Sequence, residues 1–132
     1  MGEPTMRWQE PDGSQRLAYP RGPASFNTFM VTIGPDGRMI SLHGVLNMKT
    51  FALIREGMTQ EQVLRILGPS VAAWTIYFER RDELVWEWRY CDPWNEPARF
   101  NVLFDNTTKK VRTTQGYPEV KRFREWCGNE LQ

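Results

Sequence analysis

No stretch of this chain is long and apolar enough to span a bilayer, which takes roughly 20 consecutive residues. Charge of one sign is also missing, since 17 basic residues stand against 16 acidic ones for a net charge of +1. A protein that grips nucleic acid by neutralising phosphates needs a Lys/Arg surplus or stripe, so no nucleic-acid partner is expected. Histidine occurs once, at His43, and cysteine twice, at Cys91 and Cys127. No Cys-x-x-Cys or Cys/His spacing builds a zinc site, so no metal is expected, and no other cofactor either. Ser41 and His43 alternate along one segment, yet no nucleophile elbow or orienting acid accompanies them. The Gly34-Pro35-Asp36-Gly37 run is followed by no helix, so it is a turn rather than a phosphate cradle. No catalytic residue is assigned, and the chain reads as a non-enzyme. The first twenty residues are polar and contain Pro11 and Pro20, which is unlike a signal peptide, and the chain as given reads as soluble.

What is present describes a globular unit. Apolar residues make up 40% of the 132, aromatics 13% and charged residues 25%, enough for one real core. The two cysteines leave two readings open. Paired, they close a loop for about 3–4 kcal/mol in the chain-entropy model; unpaired, they are two ordinary thiols.

The densest local signal lies at residues 55–69. Gly57 suits the left-handed residue that closes a preceding helix. Thr59 is a good N-cap, with Gln62 in place for the reciprocal half of a capping box. Val63, Ile66 and Leu67 share one helical face, Leu64 lies at its edge, and Gly68-Pro69 stops the helix. With Asn47 capping a first helix over about 48–56, whose inner side carries Phe51 and Ile54, this reads as an αα-hairpin.

Strand patterns flank it on both sides. Residues 8–10 and 16–19 bracket a Pro-Asp-Gly-Ser turn, and a Gly/Pro loop follows at 20–23. Phe29, Val31 and Ile33 alternate on one face, and residues 39–45 pair back across the turn at Gly34 to Gly37. After the hairpin, residues 73–78 carry Trp74, Ile76 and Phe78 on one face. Residues 84–90 align Leu84, Trp86, Trp88 and Tyr90 opposite Val85, Glu87 and Arg89. Phe100, Val102 and Phe104 follow a Pro-flanked loop at 92–97, and a last strand over 109–114 follows an Asp-Asn-Thr-Thr turn. The tail from Tyr117 holds a short helical pattern. The expected fold is α+β: a two-helix hairpin packed on an antiparallel β-sheet, with β-strands before and after it in a weak internal repeat.

Gly57-Met-Thr-Gln-Glu-Gln-Val63, then Leu67-Gly-Pro69, a Trp/Tyr-alternating strand and Asn101-Val-Leu-Phe-Asp105 together resemble the SmpA/OmlA family. These are the BamE-like outer-membrane lipoproteins of bacteria. The likeness covers residues 46–114. It divides a single domain, 1–132, into a β-rich half at 1–46, a BamE-like ααβββ unit at 47–116 and a tail at 117–132. It implies a domain on the periplasmic face of the outer membrane, tethered by an N-terminal lipid. The implied role is in outer-membrane protein assembly or envelope integrity, through a protein partner such as a component of the assembly machinery, and through lipid headgroups. The cysteine that carries the lipid in that family has no counterpart near residue 1 here. Tandem units of helix hairpin plus sheet also resemble β-lactamase inhibitor proteins, so a secreted or periplasmic inhibitor of an enzyme is the alternative. A cytoplasmic domain without specialised role is a third.

Three residues are candidates for partner contact. Trp94 sits in a polar, Pro-flanked loop, where it either folds back as a plug or meets a partner. Glu87 and Arg89 lie on the face opposite the aromatic row, either as solvated sheet positions or as part of a docking face. Trp74, Trp86, Trp88, Phe100 and Phe104 are read as core.

Overall fold

Two turns rich in Pro, Asp and Gly fold the N-terminal third of the chain into a meander. The computed structural model of the protein describes residues 2–119 and Cys127. Strands β1 (Met6–Gln9) and β2 (Gln15–Pro20) flank the first turn, where Asp12 Oδ1 accepts from the Ser14 amide at 2.9 Å and from its hydroxyl at 2.6 Å. Strands β3 (Thr28–Ile33) and β4 (Met39–Gly44) flank the second, closed by the Gly34 amide donating to the Arg38 carbonyl at 2.8 Å. These four form an antiparallel sheet in the order β1-β2-β3-β4. Thr32 pairs with Ser41 and Ile33 with Met39, so Ile40 is an extra residue that bulges from the ladder.

A second antiparallel sheet repeats the plan with β5 (Ile76–Phe78), β6 (Glu83–Cys91), β7 (Pro97–Asp105) and β8 (Val111–Pro118), in the order β5-β6-β7-β8. The segments of the weak repeat fall on β2 and β6, on β3 and β7, and on β4 and β8.

Between the sheets the chain forms only α1 (Met48–Phe51) and α2 (Gln60–Leu67). The α+β expectation is therefore corrected: the protein is mostly β, with two four-stranded antiparallel sheets and two short helices instead of a helix hairpin laid on one sheet. The cause is visible at the first helix, which was expected over 48–56. Asn47 caps it by accepting from the Thr50 amide, but after Ala52 the chain closes only three-residue turns, from Leu53 to Thr50 and Ile54 to Phe51. Next the Gly57 amide donates to the Val111 carbonyl at 2.8 Å, and the Val111 amide donates to the Met58 carbonyl at 2.9 Å. Residues 57–59 thus pair with the start of β8, and a helix cannot use the same amides.

The segment at 73–78 is corrected as well. Ala72–Trp74 is a turn of 3-10 helix and only Ile76–Phe78 is strand. Ile76 pairs with Val85 and Phe78 with Glu83, so both share the face turned away from the aromatic row. Ile76 and Phe78 are exposed on this edge strand, and Trp74 lies over the Arg99 guanidinium instead of in the core. The last strand begins at Val111 and continues to Pro118, so Tyr117 and Pro118 are strand. Residues 120–126 and 128–132 of the expected tail helix lie outside the described residues.

Helix α2 is the wedge of the molecule. Val63 and Leu67 are fully buried in one cluster that joins Trp8, Ala18 and Met30 of the first sheet to Trp88, Phe100, Val102 and Phe104 of the second. Polar contacts pin both sides. Trp8 Nε1 donates to Glu61 Oε2 at 2.5 Å and Arg16 Nε to the Arg65 carbonyl at 2.6 Å, while Trp88 Nε1 donates to the Gly68 carbonyl at 3.2 Å. Gly68 closes the helix at φ 76, and a Cβ there would come within 2.9 Å of Thr28 Cγ2. Only glycine tolerates that backbone and that approach.

At the other end of α2, Thr59 and Gln62 form both halves of the capping box, with N–O distances of 3.1 and 2.8 Å. Thr59→Ala is expected to lower stability by about 1 kcal/mol. The check is the urea midpoint at constant slope, and an unchanged midpoint would mean that the box contributes nothing.

Candidate functional site

The connection from β6 to β7 is short and heavily bonded. Asp92 Oδ1 accepts from the amides of Trp94 (2.8 Å) and Glu96 (3.0 Å), an Asx-type arrangement that folds the backbone over its own side chain. The Asp92 amide donates to the Glu96 carbonyl, and the Asn95 amide donates to the Asp92 carbonyl. Asn95 takes a left-handed conformation at φ 60, which asparagine tolerates better than most residues. The two cysteines pair: Cys91 and Cys127 form a disulfide with Cα atoms 5.6 Å apart. The Cys127 amide also donates to the Asn95 carbonyl at 3.1 Å, which fastens the loop from a second side.

Trp94 rides on this loop with 72% of its surface exposed. It is not a folded-back plug. A large aromatic held out on a backbone already fixed loses little ordering entropy when it is covered, which is what an interface anchor needs.

Glu87 and Arg89 have a different setting. They do lie opposite the aromatic row, with Arg89 directly across from Arg99 on β7. Two facing guanidinium groups repel unless a carboxylate separates them. Glu119 does so: Arg89 Nε and Nη2 donate to its two oxygens at 2.6 and 3.0 Å, and Arg99 Nε donates to it at 3.0 Å. Arg99 Nη1 continues the ladder by donating to Glu87 Oε2 at 2.7 Å, and the Tyr117 hydroxyl donates to Glu87 Oε1 at 2.5 Å. The Arg99 guanidinium lies 3.6 Å from the centre of the Trp74 ring, and Arg89 lies 4.0 Å from that of Phe26.

Burial acts to lower the Arg99 pKa, but the hydrogen bonds Arg99 donates to Glu119 and Glu87 outweigh it and the net shift is upward. Burial, then the bond to Glu87, pushes the Tyr117 phenol above its ordinary value. Glu87 is buried and Arg89 half-buried, so the pair is engaged in the fold and is not presented to solvent. In chemical terms the ladder is saturated with opposite charge. It fixes the sheet and holds Tyr117, Trp74 and Phe26 over it.

The three candidates therefore separate into two settings on either side of Cys91, with Trp94 displayed on the loop and Glu87 and Arg89 locked in the strand. The residues missed in the sequence are Arg99, Glu119, Tyr117 and Phe26. For Arg99 a signal existed, because inward Phe100 implies an outward Arg99. Nothing local marks Phe26 or Glu119 as neighbours of Arg89. Asp92 also carried a signal, since an Asp at the start of a Pro-containing turn is the usual side-chain acceptor of an Asx turn.

No family model, curated protein or solved structure matches the chain.

Proposed function

We propose that this chain is a non-enzymatic, protein-binding domain of the bacterial cell envelope, placed on the periplasmic face of the outer membrane and serving outer-membrane protein assembly or envelope integrity. The observation that carries the binding role is Trp94, an exposed indole on a loop held by Asp92 and by the Cys91–Cys127 bridge. The disulfide supports the compartment, because such bonds persist in the oxidising periplasm and are rare in the cytosol. The motif likeness at residues 57–69 supports the envelope role. The repeated four-stranded meander favours one second reading, a periplasmic or secreted protein inhibitor of an enzyme.

The test places a photo-crosslinking residue at position 94 in protein exported to the envelope of a Gram-negative host, with position 36 on the exposed turn as control. Discrete crosslinks to one or a few envelope proteins are expected from 94 alone. Trp94→Ala should weaken capture of the crosslinked protein at least about tenfold while leaving the melting temperature unchanged. Crosslinking at 94 no different from that at 36 would overturn the reading. An enzyme as the crosslinked partner would select the inhibitor.

A further inference from the structure

The first sheet ends on an open margin. β4 is its last strand, and among the described residues no hydrogen bond beyond the ladder with β3 caps the backbone of residues 41–43. Edge strands are normally guarded by Lys, Pro, an inward charge, a bulge or a covering element. β4 has no Lys, Pro or carboxylate between Met39 and Gly44, and Met39, Ile40 and Leu42 are exposed, Ile40 at 65%. The bulge at Ile40 breaks the register at one end, so the regular part of the margin is the run from Ser41 to Gly44.

The two faces of that run differ. Leu42 pairs with Val31, while His43 pairs with Met30 and so shares the face that packs toward α2. Beside His43 a groove of ≈ 350 Å³ runs between the end of β4 and α1. Val45, Leu53 and Ile66 form its apolar wall, and Arg16, His43 and Lys49 form its polar one. Among the described residues no carboxylate lines it. Glu10, the carboxylate that acts on Arg16, is itself bonded to Arg65 at 2.7 Å. Lys49 and His43 are both exposed, and neither side chain has a partner among the described residues.

We infer that this margin takes an extended segment of a partner protein as a fifth strand, and that the segment alternates acidic and apolar side chains. Period-two geometry sends its carboxylates to the groove face, toward Arg16, His43 and Lys49, and its apolar side chains to the other face beside Leu42. Main-chain pairing supplies the affinity, and the alternation sets the register. A basic segment would bring like charge to Arg16 and Lys49. A small anion would leave the strand margin bare. This surface is separate from Trp94 and goes beyond the function proposed above.

The probe is a synthetic peptide of about nine residues alternating Glu and Val, titrated into isotope-labelled protein. Saturable amide shifts are expected, with slowed hydrogen exchange at residues 41–44. Lys49→Glu, on an exposed side chain, should weaken binding at least about tenfold with the remaining spectrum unchanged. A peptide with Lys in place of Glu should not bind. Failure to saturate, equal affinity for Lys49→Glu, or slowed exchange confined to other residues would each overturn the proposal. So would self-association of the protein through this margin in sedimentation, because the strand's occupant would then be a second copy.

Discussion

Replacing Trp88 with alanine is expected to lower unfolding free energy by about 3–5 kcal/mol, which is a large share of what a domain of this size possesses. Trp88 is 1% exposed at the centre of β6, edge-on to Trp86 at 6.3 Å, in the cluster shared with α2. Truncation removes the largest fully buried side chain and opens a cavity between the second sheet and the helix. It also strands the Gly68 carbonyl, which accepts from the indole nitrogen. Trp88→Phe separates the two effects. It keeps most of the apolar volume but leaves that carbonyl unpaired, for a loss of about 1–3 kcal/mol. Urea unfolding followed by far-UV circular dichroism measures both. An alanine variant of near-native stability would show that the aromatic row does not carry the core.

Reduction of the Cys91–Cys127 bridge is expected to cost about 3–4 kcal/mol. The two residues are 36 apart in sequence, and the entropy released to the unfolded chain by opening a loop of that length gives this size. Cys91→Ser with Cys127→Ser should match the reduced protein, with a lowered midpoint that no longer responds to reductant. A second effect accompanies it. Cys127 also holds the Asn95 carbonyl, so opening the bridge loosens the loop that displays Trp94 and should weaken partner capture along with stability. Equal midpoints with and without reductant would show that the bridge contributes nothing to folding.

Elements set by near neighbours in the chain were legible from residues alone. Thr59 with Gln62 and the stop at Gly68 are local hydrogen-bond and backbone requirements, and the structure contains them. The Leu84, Trp86, Trp88 and Tyr90 row follows from the pleat. What distant segments decide was not legible. The first helix ends early because Val111, more than fifty residues on, captures the Gly57 amide. Trp74 looked like core by alternation, but it ends a turn of 3-10 helix ahead of β5 and lies over Arg99 on the outward face. Alternation likewise put Glu87 and Arg89 opposite the aromatics. It had no means of bringing Glu119 between two arginines, or Phe26 beneath one of them. Trp94 stands out in sequence as an aromatic in a polar loop, whereas the groove at Arg16, His43 and Lys49 is assembled from three elements and has no linear signature.

Val63 and Leu67 of α2 belong to the interior of both sheets at once. Neither meander keeps a closed interior if the other departs, so a single melting transition is expected for the two halves. The repeated plan looks like two modules, but the shared cluster leads us to expect one cooperative unfolding unit.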